Sequence, residues 1–165
     1  MTGCCEADIA ALHLTLVQRG ESVATAESLT AGRIVAELTS VPGASACVAG
    51  GAAVYFARTK HQVLGVAEEV VARHGTVSAE CAVEMARGAA RLFEATYAVA
   101  ATGVAGPDEE EGKSVGTVFI AVVGPAGDVV RRLDLPGDRA AVTTASVRAA
   151  LDLLIGVVHS EEHLE

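Results

Sequence analysis

The sequence predicts an α/β fold, specifically a three-layer α/β/α domain with a mixed sheet that includes one antiparallel hairpin. Segments of helical periodicity alternate with short apolar runs that end in glycine- or hydroxyl-bearing turns. Two apolar runs, 116–123 and 128–133, flank only Gly124-Pro125-Ala126-Gly127, a connection suited to a hairpin. The length of 165 residues suits one core, since a chain of about 150 residues buries roughly 68–70% of its unfolded surface. A single domain over residues 1–160 is expected, with 161–165 as a tail whose Leu164-Glu165 reads as a cloning scar. Hydrophobic residues make up 51% of the chain, but 32 are alanine and 24 valine while aromatics are 3%, so the core must be built from small side chains at close range.

Each element follows from local pattern. Ile9, Leu12, Leu16 and Val17 recur at helical spacing and stop at Gly20, a natural left-handed C-terminal position. Residues 22–26 form a short strand candidate. Ser28 or Thr30 is placed to cap the next helix, whose apolar face is Ile34, Val35 and Leu38 and which Pro42-Gly43 ends. Residues 47–56 read as a second strand, weakened by Gly50-Gly51. Short helical pieces at 58–63 and 68–74 precede a longer helix capped by Ser78, with Ala82, Met85, Ala89 and Leu92-Phe93 inward. Residues 97–101 form a buried strand ending in Thr102-Gly103, and the hairpin follows the breaker-rich stretch 103–114. A final helix runs from about Asp138 to Val158 with Val142, Ala145, Ala149, Leu153 and Val157 on one face. In such a doubly wound layout the ligand loops lie at the carboxyl ends of the strands.

Charge and cysteine usage narrow the function classes. Twelve Lys and Arg against 21 Asp and Glu give a net charge of −9, which opposes a broad electrostatic grip on nucleic acid or an anionic membrane. No apolar run approaches the roughly 20 residues of a bilayer span, and the N-terminus lacks a secretion-signal layout, so a cytoplasmic location is expected. Cys4, Cys5, Cys47 and Cys81 form no C-x-x-C pair and have no histidine at zinc spacing; they read as free thiols, and neither a metal nor another cofactor is expected.

Four segments can carry chemistry, each with a plainer alternative. Residues 26–32 (Ala-Glu-Ser-Leu-Thr-Ala-Gly) form a strand-to-helix turn whose amides would favour an oxyanion, or whose Ser28 and Thr30 merely cap the helix. Tyr55 and Lys60 end a strand: a lysine with depressed pKa can deprotonate a serine and a tyrosine can donate a proton beside it, or both are simply surface residues. Lys60 is one of only two lysines beside ten arginines, and arginine cannot act as a base at working pH. Residues 102–107 permit close approach of backbone to a ligand, or form only a tight loop. In Gly137-Asp138-Arg139 the aspartate suits a helix cap, and the arginine is free to clamp a phosphate or to remain solvated. His74 before Gly75 reads as a helix end, Glu109 to Glu111 as a solvated loop, and Lys113 as a solvated residue or a lid contact.

Taken in order, these segments together with Val41-Pro42-Gly43-Ala44-Ser45, His74-Gly75-Thr76-Val77-Ser78 and Val115-Gly116-Thr117-Val118 resemble the CinA C-terminal domain family over nearly the whole chain. The resemblance implies an amidohydrolase converting nicotinamide mononucleotide to nicotinic acid mononucleotide and ammonia, with Ser28 as nucleophile, Lys60 as general base and Tyr55 beside them. It further implies Glu27, Thr30, Gly32, Ser45, Thr102, Gly103, Gly106 and Arg139 as substrate-pocket positions, a small-molecule nucleotide as partner rather than nucleic acid or membrane, and a homo-oligomer. Full-length relatives carry a further N-terminal domain for which this chain has no room, so a standalone enzyme is expected. The pattern departs at Leu29 and Ala31, at Phe56-Ala57-Arg58-Thr59, and at Gly50 and Thr143, where an arginine is common. These departures raise two alternatives: a catalytically weakened nucleotide-binding module of the same fold, or a hydrolase of another small amide.

Overall fold

In a computed structural model describing residues 6–160, the first helix, α1 (Glu6–Arg19), buries Ile9, Leu12 and Leu16 as the periodicity requires, and Gly20 ends it at φ 65°. Cys4 and Cys5, and the tail expected at 161–165, lie outside the described residues. Five strands follow among them: β1 (Val23–Glu27), β2 (Val48–Ala53), β3 (Tyr97–Gly103), β4 (Thr117–Gly124) and β5 (Gly127–Asp134). They form one mixed sheet in the order β2-β1-β3-β4-β5, with β1 parallel to both neighbours and β3, β4 and β5 successively antiparallel. The β4–β5 hairpin closes at the Gly124–Gly127 pair, so Pro125-Ala126 alone forms its tip.

The two faces of the sheet are built differently. On one, α1, α2 (Arg33–Thr39) and α6 (Arg139–Ser160) supply Leu12, Leu16, Ile34, Leu38, Leu151 and Leu154 against Val99, Val118, Ile120 and Val122. On the other, α5 (Ala79–Leu92) lies on a pavement of alanines, Ala24, Ala26, Ala98, Ala100 and Ala121. This is where the alanine-rich composition is used: short side chains let the helix approach, and each methyl still leaves water. On its other side α5 meets α3 (Ala57–Leu64) closely at Gly88, where a Cβ would stand 2.1 Å from the Leu64 carbonyl oxygen. A further helix, α4 (Glu68–His74), joins α3 to α5. The 22-residue α6 is long and apolar enough by composition to cross a membrane, yet 56% of that window is buried within the fold, against β3 and β4.

Several boundaries differ from expectation for identifiable reasons. β2 ends at Ala53 rather than Phe56, because the chain must turn to start α3, and the Lys60 amide bonds the Phe56 carbonyl. α2 starts at Arg33 and is capped by neither Ser28 nor Thr30; its N-cap is Gly32, at φ 91° and without a side-chain cap of its own. The capping oxygens come from Glu27, at the end of β1. Ser78 caps α5 by accepting from the Cys81 amide, and Asp138 accepts from the Ala141 amide at the start of α6, both as predicted.

Candidate active site

The site sits where β1 and β3, both buried, deliver their carboxyl ends side by side. Ser28 follows β1 directly, and its amide donates to the Ala101 carbonyl of β3 at 2.9 Å, which pins the turn to the sheet. Beneath it lies Glu27, fully buried, whose carboxylate accepts from Gly32 N (3.0 Å), Ile34 N (3.0 Å), Val35 N (2.9 Å) and Thr25 Oγ1 (3.1 Å). One carboxylate thus satisfies the orphan amides of α2 and holds the turn between strand and helix. Ala31, forced to φ 52°, completes that tight turn. Glu27 is therefore placed under the site and not in it, a correction to its expected substrate contact: it is 0% exposed and its oxygens are already taken.

Lys60 reaches the same point from α3. Its side chain is 1% exposed, and Nζ lies 3.0 Å from Ser28 Oγ, 3.0 Å from the Val54 carbonyl and 2.8 Å from the Tyr55 carbonyl. A neutral amine has two N–H donors and one lone pair. Two carbonyls use the donors, so the lone pair is left for the serine hydroxyl. Burial lowers the Lys60 pKa, opposed by the negative charges of Glu110 and Glu111 and by Cys81 where its thiol ionises. The Cys81 thiol, buried at the start of α5, is itself pushed up to about 11 by desolvation and stays protonated.

Tyr55 takes part through its main chain. Its phenol is 58% exposed and accepts from Arg139 Nη2 at 3.0 Å, while Arg139 Nη1 donates to the Gly106 carbonyl at 2.6 Å. The expected proton transfer by the tyrosine side chain thus has no contact on Ser28 or Lys60 to support it. The guanidinium instead bridges the Tyr55 phenol, past the end of β2, and the 104–107 loop. Thr102 is buried at the end of β3 and donates to the Thr76 carbonyl at 2.7 Å. Gly103 leaves no room for a side chain, as a Cβ would stand 2.8 Å from the Thr117 carbonyl oxygen, so close strand packing explains it. Thr30 is fully buried, and its Oγ1 has no hydrogen-bond partner. The amides of Leu29 and Thr30 likewise have none among the described residues.

Ser45 is not brought to this site. It is exposed on a 3₁₀ turn (Ala44–Ala46) that precedes β2, and because β2 runs parallel to β1 this is the opposite end of the sheet from Ser28. At about 3.3 Å per residue, the five residues of β1 separate the two ends by roughly 16 Å. At the two positions where the family resemblance leads one to expect an arginine, Gly50 faces the Phe93 ring, and the Thr143 hydroxyl donates to the Arg139 carbonyl at 2.7 Å.

The acidic stretch is exposed, as expected for Glu109 and Glu110, but the Glu111 side chain is tied into the fold. Glu111 Oε1 accepts from Thr76 N and Oγ1 at 2.9 and 2.7 Å, Oε2 accepts from Val77 N at 3.1 Å, and Lys113 Nζ lies 3.6 Å from Oε2. His74 ends α4 and pairs with Glu80 at 3.4 Å, a structural role as expected. Among the described residues no cluster of His, Cys, Asp and Glu is arranged to hold a metal. Sequence patterns assigned no role to Cys81, to Thr76 within its motif, or to the two carbonyls on Lys60, because each acts through a contact made only in the folded chain.

Comparison with known proteins follows the same outline. The family model described as CinA C-terminal domain matches residues 6–158. A CinA-like protein of Frankia casuarinae is 47% identical over 150 residues, covering 88% of this chain and 35% of that protein. One from Mycobacterium sp. is 47% identical over 137 residues, covering 82% and 32% respectively. The chain therefore spans about a third of the length of these curated relatives. Among solved structures, a competence-damaged protein (CinA) superfamily protein from Enterobacter cloacae superposes with a TM-score of 0.92 at 28% identity, covering 96% of this chain and 94% of that one. The competence/damage inducible protein CihA from Agrobacterium tumefaciens gives 0.86 at 35% identity, covering 92% and 93%.

Proposed function

Because the chain belongs to the CinA C-terminal domain family, we propose that it is a serine–lysine amidohydrolase whose substrate is the carboxamide of nicotinamide mononucleotide. The observation that carries this reading is the buried Lys60 Nζ, 3.0 Å from Ser28 Oγ with its other two positions held by main-chain carbonyls. The Ser28 proton passes to Nζ as Oγ bonds the carboxamide carbon. The ammonium then returns that proton to the departing nitrogen, the C–N bond breaks, and ammonia leaves an acyl-serine. A water molecule, deprotonated by the same amine, cleaves the ester to give the carboxylate and restore Ser28. The unpartnered amides of Leu29 and Thr30 are the donors available for the tetrahedral oxyanion.

Arg139 and the main chain of 104–107 are the nearest polar groups for the ribose phosphate. A second reading, a nucleotide-binding module without turnover, draws on the departures at Leu29 and Ala31, the latter at φ 52°, in the turn that follows Ser28. The test is ammonia release from nicotinamide mononucleotide by wild type, Ser28→Ala and Lys60→Met. Turnover by wild type and a loss of at least a thousandfold in each variant is expected. Retained turnover in either variant refutes the dyad. Saturable nucleotide binding without ammonia selects the second reading, and turnover of a different carboxamide alone reassigns the substrate.

A further inference from the structure

The segment Glu110–Lys113 is a miniature hairpin. Glu110 N and Lys113 N each donate to the other residue's carbonyl, at 3.2 and 2.9 Å, and the two residues between, Glu111 and Gly112, have φ of 52° and 70°. That backbone suits a type I′ turn, and a glutamate in the left-handed region persists only where its surroundings hold it. What holds it is its own side chain, which reaches back to Thr76 and Val77. Gly75 makes this possible: a Cβ there would lie 2.2 Å from Glu111 Oε2. The Thr76 carbonyl in turn accepts from Thr102, at the end of the strand that pins Ser28. A continuous run of hydrogen bonds therefore connects the hairpin tip to the site.

We infer that Glu111 is a positioning residue of the amidohydrolase site: its carboxylate clasps the 75–77 segment against Thr102 and holds a fixed negative charge beside the buried Lys60. This rests on reading Ser28 and Lys60 as nucleophile and base. The charged and titratable groups acting on Lys60 are Cys81 from α5 and Glu110 and Glu111 from the hairpin. Cys81 is a neutral thiol, so the carboxylates set the local charge. Desolvation tends to raise the Glu111 pKa, but the hydrogen bonds from Thr76 and Val77 and the charge of Lys113 together bring it below the ordinary value, so it is ionised at neutral pH.

The test uses an alkyl fluorophosphonate, which reports Ser28 reactivity without requiring any particular amide: Oγ bonds phosphorus, fluoride leaves, and the proton goes to Lys60. The labelling rate is measured against pH, with Ser28→Ala as blank and thermal melts confirming that each variant is folded. The labelling midpoint follows Lys60. In Glu111→Gln it is expected to fall by about 0.3–1 pH unit, because a charge favouring the ammonium is gone. Lys113 pairs with Glu111 but is not among the groups acting on Lys60, so Lys113→Met, in which Glu111 remains, is expected to leave the midpoint in place. A purely structural hairpin would slow labelling in Glu111→Gln with no shift in midpoint, and that result, an equal fall in both variants, or no labelling of wild type overturns the inference. A fall confined to Glu111→Gln in a protein that releases no ammonia from nicotinamide mononucleotide upholds the clasp and rejects the substrate.

Discussion

Glu27 offers the sharpest test of how Ser28 is held. Its carboxylate is fully buried with four donors on two oxygens: Gly32 N and Ile34 N on Oε2, Val35 N and Thr25 Oγ1 on Oε1. In Glu27→Gln one oxygen becomes an NH₂ group. If the amide nitrogen occupies the Oε2 site it confronts two backbone amides; if it occupies the Oε1 site it confronts one amide and a hydroxyl that is able to rotate. At least one buried N–H then loses its acceptor, at about 1–3 kcal/mol, and the remaining bonds lose their charge assistance. The expected destabilisation is about 2–4 kcal/mol. For a chain of this size that lowers Tm by roughly 5–15 °C. Equilibrium urea unfolding followed by circular dichroism measures it, with the midpoint falling while the slope is unchanged. Because Ser28 begins the turn that Glu27 anchors, Ser28 labelling should fall in parallel even at temperatures where the variant is folded. A Glu27→Gln protein as stable as wild type but with a raised KM would refute this account and return Glu27 to the substrate pocket.

Two further outcomes follow from the same coordinates. Arg139→Ala should reduce kcat/KM for a phosphate-bearing amide by about ten- to a hundredfold, as expected for a charge-assisted contact, and leave stability within about 0.5 kcal/mol because Arg139 and Tyr55 are exposed; a stability loss with KM unchanged would make the arginine a strut only. His13 is 4% exposed, with neither ring nitrogen in a well-formed hydrogen bond among the described residues, and burial lowers its pKa against the weaker opposing effect of a marginal contact with the Leu38 backbone. The unfolded chain then binds the proton more readily than the folded one, so His13's contribution to unfolding free energy should be constant above about pH 6.5 and fall as pH drops below it; His13→Leu should reduce that acid-side slope, measured by urea unfolding across pH.

What the sequence could disclose depended on whether the relevant interaction was local. Helix and strand periods, Gly20, Ser78 and Asp138 were legible because each is decided within a turn or two of chain. The pairing of Ser28 with Lys60, 32 residues apart, came through resemblance and not from spacing, and the geometry now places the two groups in contact. Glu27 was misassigned because a glutamate ending a strand beside a nucleophile carries the same letter whether its oxygens face a ligand or a helix start. Ser45 was misplaced for a related reason: its motif lies close to the site in sequence order, but the parallel crossover puts it at the other end of the sheet. Glu111 was read as solvated because an acidic run is usually a solvated surface, and only the tertiary contact with Thr76 makes it otherwise.

The composition that looked merely economical bears directly on the chemistry. A lysine serves as base only if its ammonium is disfavoured, and the means available is burial without a carboxylate partner in contact. Lys60 meets this condition because α3 is pressed against α5 at Gly88, and α5 is pressed against alanines of β1, β3 and β4. Larger side chains on that face would lift α5 and with it α3, admitting water around Nζ and restoring the lysine to its ordinary value. Two carbonyls hold the amine without adding a formal charge, while Glu110 and Glu111 act on it from the hairpin and limit how far the shift goes. Small side chains, a glycine contact and a measured dose of negative charge are therefore parts of one device, and each can be altered while the Ser28–Lys60 pair is left untouched.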